Sequence, residues 1–87
     1  MLQQIRVLRD EIERTYPGAE AHIEGFASGA ATLDVRWRTR VFVLAYSPSR
    51  GFGVDELQEG EGFETGYRFA SPDFEGAAAE LHRLLRG

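Results

Sequence analysis

The sequence predicts an α+β domain of order α-β-β-β-β-β-α. Its expected architecture is an antiparallel meander sheet with N- and C-terminal helices packed on one face. Three observations predict it. The first and last segments repeat apolar residues at three- and four-residue steps, as a one-sided helix does. The middle alternates with period two in short runs, broken by Gly, Pro and Ser. Each helix carries a single apolar stripe, so one sheet face can cover both. With 87 residues, one domain over 1–87 is expected.

In the first helix Leu2, Ile5, Leu8, Ile12 and Tyr16 share a face. Pro17 disfavours helical geometry at the residue before it, so the helix should end near Thr15. Ala19 to Phe26 reads as a strand, with Ala21 and Ile23 on one side and His22 and Glu24 on the other. Ser28-Gly29 is a turn signal. From Ala31, Leu33, Val35 and Trp37 point one way, and Thr32, Asp34, Arg36 and Arg38 the other. Val41 to Tyr46 is apolar on both sides.

A two-residue turn at Arg38-Thr39 would set Val35 opposite Phe42 and Leu33 opposite Leu44. Leu33, Val35, Trp37, Phe42, Leu44 and Tyr46 then form one continuous buried surface. A one-residue slip would put the smaller Val41 and Val43 there instead, so the first register is the better one. Ser47-Pro48-Ser49-Arg50-Gly51 is the strongest turn signal. A strand from Phe52 to Leu57, a loop from Gln58 to Gly62 and a strand from Phe63 to Phe69 follow. The closing helix has Ser71 as expected N-cap and Pro72 at its first position. Phe74, Ala77, Ala78, Leu81, Leu84 and Leu85 form its stripe.

Composition narrows the function classes. The chain has no cysteine, which excludes disulfides and thiolate metal sites and favours a reducing, cytoplasmic compartment. No apolar run approaches membrane-spanning length, and the N-terminus lacks the apolar core of a secretory signal. The net charge of −4 argues against nucleic acid as a partner. All ten basic residues are arginine, a bias expected of a GC-rich bacterial genome.

No catalytic constellation emerges, so a non-enzyme without cofactor or metal is expected. His22 and Glu24 share a strand face, yet no nucleophile accompanies them. His82 falls on the expected exposed side of the last helix, where charge–dipole attraction accounts for it. Gly51-Phe52-Gly53 and Gly60-Glu61-Gly62 lead into strands rather than helix N-termini, so they are turn glycines and not phosphate loops. Six aromatic residues, Trp37, Phe42, Tyr46, Phe63, Tyr67 and Phe69, alternate toward the helices as core rather than as a stacking platform.

Charge is segregated. Residues 35–54 contain Arg36, Arg38, Arg40 and Arg50 and no acid, whereas 55–64 contain Asp55, Glu56, Glu59, Glu61 and Glu64 and no base. In the chosen register Val41, Val43 and Ala45 lie on the face away from the helices, beside Asp34, Arg36 and Val54 or Phe52. An apolar centre with a charged rim is how a binding face is built. The expected function is therefore protein interaction or self-association through Asp34, Arg36, Val41, Val43, Ala45, Asp55, Glu56, Glu59 and Glu61. The runner-up is a small-molecule pocket between sheet and helices with Tyr46, Thr65, Tyr67 and Arg68 as polar handles. A nucleic-acid contact through Arg36, Arg38, Arg40 and Arg50 comes third.

Overall fold

The computed structural model describes residues 1–57 and 69–87. The element order is α1 (Leu2–Thr15), β1 (Glu20–Gly25), β2 (Ala31–Trp37), β3 (Arg40–Ser47), β4 (Gly51–Leu57), β5 (Phe69–Ser71) and α2 (Phe74–Arg86). The strands form one antiparallel sheet in the order β1-β2-β3-β4-β5. Of the expected last strand only Phe69 lies among the described residues; Phe63 to Arg68 and the Gln58–Gly62 loop lie outside them.

The expected β2–β3 register is the observed one. Val35 pairs with Phe42, Leu33 with Leu44, and Trp37 with Arg40 across the Arg38-Thr39 turn. Closing so tight a turn puts Arg38 at φ 60°, which costs an ordinary L-residue about 1–2 kcal/mol. Its guanidinium lies over the Trp37 ring, 4.4 Å from the centroid, and such a contact returns about 0.5–1 kcal/mol.

Both helices cover the same sheet face. Ile5, Leu8 and Ile12 of α1 and Ala77, Leu81 and Leu85 of α2 join Leu33, Val35, Phe42, Leu44, Phe52 and Val54 in one buried cluster. α1 lies over β1 and β2, and α2 over β3, β4 and β5. Among the described residues, this leaves the opposite face without a helix. Phe52 and Val54 belong to the helix side because they pair with Tyr46 and Leu44, so neither neighbours Val43 on the outer face. The outward positions of β4 are Gly53, Asp55 and Leu57.

α2 begins later than its sequence signals suggest. Ser71 ends β5, where it pairs with Phe52, and the N-cap is Asp73, whose carboxylate accepts from Gly76 N–H at 2.8 Å. Pro72 thus joins strand to cap instead of opening the helix. Ser71 Oγ accepts from Asp73 N–H at 3.3 Å and holds the cap residue in place. Asp73→Ala is expected to cost about 1 kcal/mol, read as a lower urea midpoint at unchanged m-value. Gly51, at the β3–β4 turn, has φ 77°, and a Cβ there would stand 2.9 Å from Ser71 O. Glycine is required at this close approach of the turn to β5.

His82 does not sit on the exposed side of α2. Its ring faces α1, where Nδ1 lies 2.9 Å from the Tyr16 hydroxyl and Nε2 lies 2.9 Å from Glu11 Oε1. The second contact is close, but the carboxylate stands off the ring N–H direction, leaving Nε2 without an aligned acceptor. Tyr16 stacks at a tilt on Trp37 at 5.0 Å, and Trp37 Nε1–H donates to Pro17 O at 3.0 Å. The end of α1, the loop after it and α2 are thereby tied at one corner.

Candidate functional site

Alternation along each strand fixes what the helix-free face presents. β1 contributes Glu20, His22 and Glu24; β2 contributes Thr32, Asp34 and Arg36; β3 contributes Val41, Val43 and Ala45; β4 contributes Gly53, Asp55 and Leu57. Two rows matter most. Glu20, Arg36, Val41 and Leu57 stand side by side across four strands, and His22, Asp34, Val43 and Asp55 form the row beside them. Among the described residues, the carboxylates Glu20, Glu24, Asp34 and Asp55 share this face with the guanidinium of Arg36.

A hollow of about 590 Å³ opens at the first of these rows. Val41, Leu57 and Ala21 give it apolar floor, and Glu13, Glu20, His22, Asp34 and Arg36 give it polar walls. Glu13 comes from α1, so the hollow reaches around the β1 edge of the sheet. His22 shares its strand face with Glu24, and its cross-strand neighbour is Asp34. Glu13, Glu20, His22 and Leu57 were not among the expected binding residues. The outward alternation of β1 and β4 was the signal that could have found the last three.

The expected apolar row is only partly open. Val43 is 2 % exposed and stands outside the helix-side cluster, while Val41 and Ala45 are half-buried. Val43 is therefore closed to solvent within the single chain, and the open apolar surface of this row is Val41 with Leu57.

Glu56 does not belong to the outer face. It pairs with Phe42, a core residue, and directly opposed residues share a side. Its carboxylate takes two hydrogen bonds from Arg40, at 2.8 and 2.7 Å, and Arg40 also donates to Leu84 O at 3.2 Å, near the end of α2. Arg40 further lies over Phe42 at 4.8 Å. The Glu56 hydrogen bonds hold the Arg40 pKa above its ordinary value. One arm of the segregated charge is thus spent on cross-strand pairing beneath α2. Glu59 and Glu61 lie outside the described residues.

The four arginines do not share a surface. Arg36 is on the outer face, Arg38 caps Trp37, Arg40 is held on the helix side, and Arg50 borders a hollow at the other end of the sheet. That second hollow, of about 550 Å³, also contains Tyr46, Met1, Asp73 and Phe74. Tyr46 therefore opens at the rim of the sheet rather than into a pocket beneath the helices; Thr65, Tyr67 and Arg68 lie outside the described residues. Among the described residues no three metal-ligating side chains gather, and no helix is long and apolar enough to cross a membrane. No family model, curated protein or solved structure matches this chain, so what the helix-free face can do is read from its own geometry.

Proposed function

We propose that the chain is a non-enzymatic protein-binding module whose helix-free sheet face docks a basic protein partner. The observation that carries this reading is the hollow at the Glu20–Arg36–Val41–Leu57 row, an apolar floor walled by three carboxylates and one guanidinium. Apolar contact supplies affinity at such a centre, and the rim charges select and steer the partner. The excess of carboxylates favours a basic partner. It disfavours a second copy, because two such faces would set acid against acid.

The test is to isolate the stoichiometric partner from the cells that make the protein and titrate it against variants. Val41→Glu places a carboxylate on the apolar floor. It is expected to weaken binding at least tenfold, about 1.4 kcal/mol. Val7→Ser, on an exposed position of α1, is expected to leave affinity unchanged. Wild-type affinity should fall as salt is raised. Equal affinity of Val41→Glu and wild type would refute the face, and a monodisperse monomer that retains no partner would refute the module.

A further inference from the structure

We infer that the partner engages this chain as an extended, lysine- or arginine-bearing segment that adds a sixth strand along the free edge of β1. The inference rests on the docking reading above and names the part of the partner that binds.

The directions of the β1 backbone groups follow from two hydrogen bonds. Ala21 N–H donates to the Glu13 carboxylate at 3.2 Å, off the sheet. Phe26 N–H donates to Ala30 O at 2.9 Å, across the β1–β2 hairpin. Backbone groups alternate along a strand. Glu20, His22, Glu24 and Phe26 therefore bond inward to β2, while Ala21, Ile23 and Gly25 point outward. Glu13 occupies the first outward N–H. Among the described residues, the N–H groups of Ile23 and Gly25 have no hydrogen-bond partner.

Such an edge is a template for another chain. Proteins that avoid this use shorten the edge or cover it. β1 runs six residues, and among the described residues the Glu13 carboxylate is the hydrogen-bonding cover of its outer edge. An added strand sends alternate side chains to the helix-free side, next to Glu20 and His22. There they meet the hollow lined by Glu13, Glu20 and Asp34. β1 itself carries two glutamates and neither lysine nor arginine. Its charge fits a cationic segment and repels another β1.

The test uses the intact chain and an acetylated, amidated hexapeptide of alternating Lys and Val, with the Glu/Val analogue as control. Amide hydrogen exchange at Ile23 and Gly25 is expected to slow about tenfold at millimolar Lys/Val peptide, and to be unaffected by Glu/Val. Ile23→Pro removes an outward N–H, which an edge strand tolerates. It is expected to retain a cooperative thermal transition, lowered by the lost packing of Ile23 on the core, and to lose peptide protection at Gly25. Should that variant not fold, Gly25→Pro, at a site where an added Cβ meets nothing within 4 Å, serves the same purpose. Equal protection by both peptides overturns the inference. So does protection that grows with protein concentration alone, since a second copy then pairs at the edge. Free exchange at Ile23 and Gly25 in the presence of a peptide or native partner that still senses Val41→Glu overturns the added strand alone. No binding in either assay removes the docking reading with it.

Discussion

Phe42→Ala is expected to lower the stability of the fold by about 3–5 kcal/mol. Phe42 is wholly buried on the central strand, opposite Val35 on one side and Glu56 on the other. Its ring also lies beneath the Arg40 guanidinium. Truncation removes the largest fully buried side chain among the described residues and leaves a cavity under α2 that rigid strands on both sides cannot close. A chain of this length has roughly 4–13 kcal/mol in total, so the variant should unfold at much lower urea with an unchanged m-value. Val43→Ala makes the informative comparison. Val43 is as well hidden as Phe42 but on the opposite face, outside the helix-packed cluster. Loss of two methyl groups there is expected to cost about 1–2 kcal/mol. If Val43→Ala costs as much as Phe42→Ala, the outer face is a second core and its claim as a docking surface fails.

The fold was legible because size and alternation agreed. Leu33 and Val35 demand large partners, and only a two-residue turn at Arg38-Thr39 gives them Leu44 and Phe42. The parity of β4 was harder. Five turn-like residues, Ser47 to Gly51, leave open which of them belong to the ladder, and one residue either way exchanges the two faces. Ser47 pairs with Gly51, which sends Phe52, Val54 and Glu56 to the helices and Asp55 and Leu57 outward. Glu56 and Leu57 were misplaced or missed for that single reason. Val43 is a different case: in a strand apolar on both sides, alternation gives its face but not its exposure. Ser71 misled because serine satisfies a cap as readily as aspartate does. Only the pairing of Ser71 with Phe52 shows that the strand claims it first.

His82 was misread for a related reason. A helix stripe marks what meets the sheet, and His82 lies just beside it, where α2 meets α1 instead. The expected result is that His82→Ala costs about 1–3 kcal/mol, because it strands the Tyr16 hydroxyl, which belongs to a residue 6 % exposed. Tyr16→Phe is expected to cost about 1 kcal/mol. The double variant should cost less than the sum by about 0.5–2 kcal/mol, since the stranded group is then gone. The Tyr16 hydroxyl and His82 Nδ1 share a hydrogen bond, and the other ring nitrogen, Nε2, faces Glu11. Tyr16 is buried and packed against Trp37. Its work is to fasten two helices that otherwise meet chiefly through the sheet. Additive single costs in that cycle would mean the fastening is only apparent, and that α1 and α2 are held in place by the sheet alone.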